Sequence, residues 1–163
     1  RELGLVDVIT NAPSSGQPLI GICLGAQLLM DESFEFGQHE GLGLISGSVR
    51  QLNDLIDIGS ETVPHVGWER VMQSDSTELS LRNIDLLDNV KDGEYMYFVH
   101  SFCIDTDEQN TATTTQYGNG QFCSAVVSDN VAGFQFHPER SGPKGIQIYQ
   151  NIRRMLEEGE IDA

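Results

Sequence analysis

One stretch, Pro18 to Met30, constrains the fold more than any other part of the chain. The apolar run 18–22 is typical of a buried parallel strand, and the residues from 26 to about 33 favour a helix. Cys23 lies at the corner between them. Gly21 and Gly25 flank it at positions where a side chain would collide in a tight turn. The pattern therefore predicts a strand–turn–helix elbow that holds a thiol out at its corner.

A cysteine at such a corner faces the N-terminus of the following helix. Unpaired backbone N–H groups and the helix dipole favour negative charge there. We therefore expect the pKa of Cys23 to be lowered, which favours the thiolate, the nucleophilic form of cysteine. A lone cysteine is more often a small buried core residue. The two glycines and the strand-to-helix switch favour the nucleophile.

A candidate base for this thiol lies at the end of a later strand, 131–136, which continues into His137-Pro138-Glu139. A neutral imidazole can take a proton from a thiol and return it to a leaving amine. Pro138 biases His137 toward an extended conformation, in which residues two apart point the same way. The Glu139 carboxylate can then orient the imidazole and stabilise its cation. The pattern predicts a Cys23–His137–Glu139 triad.

These two motifs resemble those of the class I, or triad, glutamine amidotransferases. The segments concerned are Gly21-Ile22-Cys23-Leu24-Gly25-Ala26-Gln27 and Phe136-His137-Pro138-Glu139. The resemblance implies an α/β fold with an open, mostly parallel sheet flanked by helices and an antiparallel extension, similar to flavodoxin. It also implies hydrolysis of glutamine to glutamate, with transfer of ammonia to a partner and no metal or organic cofactor.

Three further segments resemble the glutaminase subunits of imidazole glycerol phosphate synthases, a family of histidine biosynthesis. They are 41–47, Val63-Pro64-His65-Val66-Gly67-Trp68 and Tyr97-Phe98-Val99-His100-Ser101-Phe102. The resemblance covers nearly the whole chain. It implies that the partner is a (β/α)8-barrel cyclase, which uses the ammonia to make imidazole glycerol phosphate and the by-product aminoimidazole carboxamide ribonucleotide (AICAR).

The resemblance also assigns roles outside the triad. It implies that the Leu24 N–H stabilises an oxyanion. It implies that glutamine is bound by Gly25, Gln27, His100, Ser101 and Phe102, and that the partner is contacted by Trp68, Tyr97 and Arg140. Two positions depart from the family: Glu69 replaces an expected asparagine, and Arg140 replaces the usual lysine. Arginine keeps the charge but presents a planar fork instead of a point charge.

Composition narrows the remaining possibilities. The 163 residues suffice for a single domain with a hydrophobic core, and the net charge of −16 disfavours nucleic acid and anionic membranes as partners. Neither a membrane-length apolar run nor a signal-peptide pattern is present. The three cysteines have neither disulfide-framework nor metal-site spacing, so we expect Cys103 and Cys123 to be inert and the protein to be cytoplasmic.

The rest of the chain gives coarser predictions. Helices are predicted over 1–10 and 145–158, a strand over 47–52 and another over 94–102. Turn signals separate three β-type runs, 111–116, 121–127 and 131–136, which predicts an antiparallel meander. Residues 72–92 are expected to form a surface connection with one helical turn. We expect residues 159–163 to fray.

Family members carry further strands upstream of the point where this chain opens with Arg1. They also carry there a glycine-containing loop that supplies a second oxyanion-hole N–H. The resemblance therefore implies that residues 1–163 are a single glutamine amidotransferase domain lacking its N-terminal part.

Three alternatives stay open at this point. The first is an amidotransferase of the same fold that feeds another synthetase, for example one amidating a surface sugar; loop 35–40 is compatible with it. The second is a stand-alone γ-glutamyl or thiol hydrolase, which the segments around Trp68 and His100 disfavour. The third is a non-catalytic regulatory relative, which the intact set of Cys23, His137 and Glu139 disfavours.

Overall fold

The structure is a computed structural model that describes residues 4–159. The start of the predicted N-terminal helix, residues 1–3, and most of the predicted frayed end, residues 160–163, lie outside the described residues. No helix within the described range is long and apolar enough to cross a lipid bilayer.

Three helices lie among the strands of the first half of the chain, and strands dominate the second half up to the last described helix. The described α-helices are α1 (Leu5–Ser14), α2 (Leu24–Leu28), α3 (Leu52–Leu55) and α4 (Gly142–Gly159), and two single 3-10 turns span Glu108–Asn110 and Pro138–Arg140. The described strands are β1 (Leu19–Ile22), β2 (Glu32–Ser33), β3 (His39–Glu40), β4 (Ser48–Gln51), β5 (His65–Gln73), β6 (Ser80–Leu81), β7 (Ile84–Asp85), β8 (Glu94–His100), β9 (Phe102–Asp105), β10 (Thr111–Tyr117), β11 (Gly120–Ser128) and β12 (Val131–Phe134).

Ten of these strands form one sheet, with the order β3-β2-β4-β9-β11-β10-β5-β8; β12 pairs with β11, and β1 pairs with β12. The α/β fold with a large sheet flanked by helices confirms the expected fold class. Within residues 4–159, however, the sheet is mixed and not mostly parallel. Only β1–β12 and β2–β4 pair in parallel. Short turns connect β10, β11 and β12, and a short connection can join only antiparallel neighbours.

The β1–β12 pairing positions the candidate site. The two strands run in parallel, with Leu19 opposite Val131 and Ile22 opposite Phe134. Parallel neighbours end at the same edge of a sheet. Cys23, which follows β1, and the segment leading to His137, which follows β12, are therefore brought to one edge from distant parts of the chain.

Two hydrophobic clusters cover the two faces of the sheet, as the alternation of side chains along a strand requires. One contains Phe98, Phe134 and Ile148 of α4. The other contains Ala26 of α2 and Val131. Helices α4 and α2 therefore bury their apolar sides against different faces of the sheet.

Helix α1 runs four residues past its predicted end, over Pro13. The helix stops in a Schellman motif at Gly16, which has the left-handed φ of 86°. The Gln17 N–H donates to the Ala12 carbonyl at 2.9 Å and the Gly16 N–H to the Pro13 carbonyl at 3.0 Å. Pro13 lies in the last turn, where its missing N–H removes only one hydrogen bond, so the helix continues past it. The helix ends at Gly16.

Helix α2 is shorter than the predicted 26–33 and ends at Leu28. The carbonyls that would continue it are used by another segment. The Leu42 N–H donates to Leu28 at 2.8 Å, and the N–H groups of residues 43–45 donate to Met30 and Leu29. Hydrogen bonds from a distant segment have therefore replaced the i to i+4 hydrogen bonds that would have continued the predicted helix.

Residues 72–92 differ most from prediction. They hold no helix; β5 extends to Gln73, and β6 and β7 form a small separate hairpin. The leucines of this segment belong to the core, since Leu79, Leu81, Leu86 and Leu87 are at most 4% exposed. Their spacing is irregular because they lie in the small β6–β7 hairpin and in the loops beside it, not in one regular element.

The predicted strand over 94–102 is broken at Ser101 into β8 and β9, which pair with different neighbours. The meander of β10, β11 and β12 is confirmed. Cys103 on β9 and Cys123 on β11 are free and buried. Burial raises the pKa of both thiols, that of Cys123 to about 12, as expected of unreactive core cysteines.

Candidate active site

Cys23 sits at a strained corner. It has φ 50° and ψ −108°, an unusual backbone conformation for a residue with a side chain, and it directly precedes α2. Its N–H donates to the Phe134 carbonyl at 2.7 Å, which anchors the corner to the end of β12. Gly21 makes the turn possible, because a Cβ there would lie 2.5 Å from the Gly25 carbonyl. The predicted elbow is therefore present.

His137 and Glu139 form the predicted pair. His137 Nδ1 lies 2.6 Å from a Glu139 carboxylate oxygen. If the glutamate accepts, Nδ1 carries the hydrogen and Nε2 is left with a lone pair. Nε2 is buried and has no hydrogen-bond partner among the described residues. The imidazole is thus oriented by one nitrogen and has the other available.

The backbone of His137 is fixed by the edge strand β8. The His137 N–H donates to the Tyr97 carbonyl at 2.9 Å. Buried Ser141 completes the link: its Oγ donates to the His137 carbonyl at 2.6 Å and accepts the Tyr97 N–H at 3.0 Å. The same strand reaches the thiol, since Cys23 Sγ lies 3.9 Å from the Val99 carbonyl. Strand β8 therefore contacts both halves of the candidate site.

The electrostatics of Cys23 differ from the prediction. Burial raises the pKa of its thiol, and the carboxylates of Glu139 and Glu35 raise it further. The Leu24 backbone N–H acts in the opposite direction and lowers the pKa. Helix α2 has only five residues, so its N-terminus offers less compensation than the sequence analysis assumed. Because burial is the largest of these influences, formation of the thiolate calls for a base that takes the thiol proton.

Gln27 is buried beneath Cys23, one turn along α2. Its side-chain NH2 donates to the Phe102 carbonyl at 2.8 Å and to Gln135 Oε1 at 3.0 Å. Both hydrogens are thus used within the protein, and only the side-chain oxygen remains for a ligand. The predicted contact of Gln27 with glutamine stays a prediction, limited to that oxygen.

A cleft of about 320 Å³ opens beside α2 and the loop after it, lined by Leu24, Gln27 and Glu35 among others. Gly25 lies on the same helix, and a Cβ built on it would meet no atom within 4 Å, unlike one on Gly21. The predicted collision at Gly25 is therefore wrong. The sequence placed Glu35 in a polar loop and gave no sign that it belongs to the site. Only its position near the Cys23 thiol in the folded protein shows this.

The stretch 99–102 lies against the thiol through Val99, but its residues do not all face the cleft. The ring of His100 is turned into the core, where it bonds His65 Nδ1 at 3.1 Å and the Phe102 carbonyl at 2.9 Å. Its predicted contact with a substrate is thereby restricted to the backbone. Ser101 and Phe102 line a second cleft, which also includes Glu35.

The three residues predicted to face a partner lie together on the outer side of β5 and β8. The Trp68 and Tyr97 rings meet edge to face with centroids 5.9 Å apart, and the Arg140 guanidinium lies 5.3 Å from the centre of the Tyr97 ring. Trp68 is 48% exposed. Exposed Val66 and Val99 border this cluster. It is an apolar, partly cationic patch directly beside the candidate site.

The described part of the chain holds no group of three or more His, Cys, Asp or Glu side chains arranged to bind a metal ion. The chemistry available at the site is that of a thiol, an oriented imidazole and an N–H donor at Leu24. Such a set can form and hydrolyse an acyl-thioester.

Comparison with known proteins identifies the class to which this fold and site belong. Residues 3–155 match the model of the family described as glutamine amidotransferase class-I. A crystal structure of a glutamine amidotransferase superposes with a TM-score of 0.61 at 18% identity, covering 96% of this chain and 69% of that one. The chain belongs to the class I glutamine amidotransferase family.

Within that family, the chain is similar to HisH subunits of imidazole glycerol phosphate synthase. The subunit from Aquifex aeolicus is 40% identical over 158 residues, which cover 96% of this chain and 70% of the relative. The subunit from a Geobacillus species is 41% identical over 158 residues, covering 96% of this chain and 71% of the relative.

Proposed function

We propose that this chain is the glutaminase subunit of an imidazole glycerol phosphate synthase, which releases ammonia from glutamine for histidine biosynthesis. The observation that carries the proposal is the parallel pairing of β1 with β12, which brings Cys23 and the His137–Glu139 pair to one edge of the sheet. Membership of the class I family and about 40% identity to HisH subunits support the substrate and the pathway.

The reaction would begin with neutral His137, whose Nε2 takes the thiol proton. The resulting Cys23 thiolate attacks the side-chain amide carbon of glutamine, and the Leu24 N–H donates to the oxygen that becomes negative. His137 then protonates the leaving ammonia, and a γ-glutamyl thioester remains. Water, deprotonated by His137, releases glutamate and restores the thiol. The thiol proton leaves with the ammonia and is replaced by a proton from the water, and no cofactor enters the cycle.

Glu35 and the cleft beside α2 suit an amino-acid substrate. A carboxylate near the thiol would bind the α-ammonium group of glutamine, while the amide end reaches Cys23. The backbone at Gly25 leaves open space for a ligand. We assign the remaining substrate contacts to the Gln27 side-chain oxygen and to the backbone of residues 100–102.

The experiment that tests the activity is glutamate release from glutamine by Cys23→Ala and by the parent protein. We expect loss of turnover in Cys23→Ala, since no other thiol reaches the site. Cys103→Ala is the matched control, because Cys103 is buried elsewhere on β9 and should leave turnover intact. Equal glutamate release by Cys23→Ala and the parent would overturn the assignment.

We further propose that the partner is a (β/α)8-barrel cyclase that docks on the cluster of Trp68, Tyr97 and Arg140. The cluster adjoins the candidate site through β8, so ammonia released at Cys23 would have a short path to a partner there. Cytoplasmic location goes with this proposal, since the described cysteines are free thiols, the state that a reducing compartment maintains.

The fluorescence of Trp68 tests the docking surface, because it is the only tryptophan of the chain. We expect its emission to change on saturation with a tryptophan-free cyclase, and Arg140→Ala to weaken binding more than Arg140→Lys. Arg153→Ala on the exposed side of α4 is the control. Unchanged emission at saturation would contradict this surface.

Glutamate release with and without the cyclase and its nucleotide substrate tests the pathway separately. A large rise in the complex is expected. If the cyclase does not change the rate of glutamate release, the glutaminase assignment would stand, and another synthetase would be the ammonia acceptor.

A further inference from the structure

Gln135 is a fully buried polar residue that no role described so far uses. It lies between β12 and His137, its side chain is 0% exposed, and its backbone N–H donates to the Ser124 carbonyl at 2.9 Å. A buried amide is costly unless its hydrogen bonds are made. The hydrogen-bond partners of the Gln135 side chain therefore indicate what the residue does.

The side chain of Gln135 connects Gln27 to Cys23. Its Oε1 accepts from Gln27 Nε2 at 3.0 Å, and its Nε2 lies 3.8 Å from Cys23 Sγ. Contacts to sulfur are longer than those to oxygen because sulfur is larger. The chain of hydrogen bonds thus begins at the Phe102 carbonyl, passes through two amides and ends on the sulfur.

The direction of this chain is fixed by its first member. The Phe102 carbonyl can only accept, so the group of Gln27 that faces it at 2.8 Å must be the NH2. The second hydrogen of that NH2 then requires an acceptor, which orients Oε1 of Gln135 toward Gln27. The NH2 of Gln135 is left to point at the thiol. The amide orientations are therefore mutually consistent and leave a donor at the sulfur.

A donor at this place favours one protonation state of Cys23. The neutral thiol can donate to the Val99 carbonyl, 3.9 Å from Sγ, but that carbonyl repels a thiolate. Burial and the carboxylates of Glu139 and Glu35 also disfavour the thiolate. Among the described residues, the Leu24 N–H and the Gln135 amide are the groups that donate toward the sulfur.

We propose that Gln135 is a positioning residue which, held by Gln27, directs an amide N–H at Cys23 and stabilises its thiolate. The inference rests on the proposed role of Cys23 as nucleophile. It also gives Gln27 a second task, since its NH2 locks the orientation of Gln135. A purely structural Gln135 would affect stability and access to the thiol but not the pH at which the thiol ionises.

The test is the pH dependence of Cys23 alkylation by iodoacetamide in the full chain, followed by peptide mapping. Buried Cys103 and Cys123 provide internal unreactive thiols. Gln135→Met keeps the length of the side chain without its donor. We expect the midpoint of alkylation to rise by about 1 pH unit, so that the rate below the midpoint falls roughly tenfold while the high-pH plateau is unchanged.

Gln135→Glu is the second variant. It keeps an acceptor for Gln27 and nearly the same volume, so it decides the matter if Gln135→Met does not fold. Its carboxylate replaces the N–H donor with a negative charge, which repels a thiolate. The midpoint of Cys23 alkylation should therefore rise further than in Gln135→Met. Gln150→Met and Gln150→Glu, on the exposed side of α4, are the matched controls and should behave as the parent.

An unchanged midpoint in the folded variants would overturn the inference. An unchanged midpoint with a lower plateau would also overturn it, because that result means only that iodoacetamide reaches the thiol less easily. The outcome is independent of glutamine hydrolysis. A shifted midpoint in a protein that releases no glutamate would overturn the proposed function alone. Glutamate release with an unmoved midpoint would overturn the role of Gln135 alone.

Discussion

Gly21 and Gly25 flank Cys23 at equal distances in the sequence, yet they meet different surroundings. Gly21 packs directly on the backbone of the helix that follows the corner, with no room for a methyl group. Gly25 leaves its missing side chain in open space. The first glycine is needed to build the elbow, and the second leaves space beside it.

Substitution by alanine should separate these two roles. Gly21→Ala would place its Cβ 2.5 to 2.6 Å from backbone atoms of Gly25 and Ala26, which cannot move without displacing α2. We expect the free energy of unfolding to fall by about 3 kcal/mol or more, with loss of glutaminase activity. Gly25→Ala should keep the parent's stability. Denaturant unfolding measures both, and equal stabilities of the two variants would contradict this view of the elbow.

At the scale of elements, the edge strand β8 organises the candidate site more than the strand that carries the thiol. It accepts from the His137 backbone through Tyr97, contacts the sulfur through Val99 and displays the proposed docking cluster on its outer side. An unpaired sheet edge normally exposes free backbone groups. Here Ser141 covers that edge and ties the His137 segment to it.

Ser141→Ala should loosen this attachment. Without the hydroxyl, the Tyr97 N–H and the His137 carbonyl lose a buried partner, which costs about 2 kcal/mol of stability. We expect kcat to fall at least about tenfold as His137 loses its position, with little change in KM. Steady-state kinetics of glutamate release measure this, with exposed Ser60→Ala as the control. A change in KM alone would contradict a positioning role.

For the whole molecule, the response to acid should depend on a buried pair of histidines. His65 on β5 and His100 on β8 share a hydrogen bond inside a cage that includes Phe98, Tyr117 and Phe122. Burial lowers the pKa of His65 from 6.5 to about 4, and burial together with the neighbouring histidines lowers that of His100 to about 3. Both rings are therefore neutral in the folded protein above those values.

The sign of the effect follows from the direction of these shifts. Between about pH 6.5 and pH 3 the unfolded chain binds more protons than the folded one, so the free energy of unfolding falls as pH falls. His65→Asn keeps a donor toward His100 without the titrating ring. We expect the slope of stability against pH between 6.5 and 4 to decrease by up to about 1.4 kcal/mol per pH unit.

Thermal or denaturant unfolding at several pH values measures this slope. His39→Asn, at an exposed position of the short strand β3, provides the control and should leave the slope unchanged. A parallel shift of the whole His65→Asn curve, with an unaltered slope, would contradict the role of the histidine pair.

The sequence predicted the elements whose signals are local. The elbow at Cys23, the His137–Glu139 pair and the meander all depend on residues close together in the chain. The misjudged features depend on distant partners. Helix α2 ends early because another segment uses its carbonyls, and Gln135, a polar residue in an apolar strand end, is buried because Gln27 and Cys23 satisfy it.

The parallel pairing of β1 with β12 also has a consequence for how the enzyme is made. A ribosome completes β1 and its cysteine long before the strand and the histidine that lie beside them in the sheet. Contacts between such distant segments form late, since the intervening chain must first be ordered. A growing or half-folded chain would hold a thiol without a base and release no ammonia. Activity would appear only once β12 and the segment that carries His137 and Glu139 have joined β1, so catalysis itself would report that this pairing has formed.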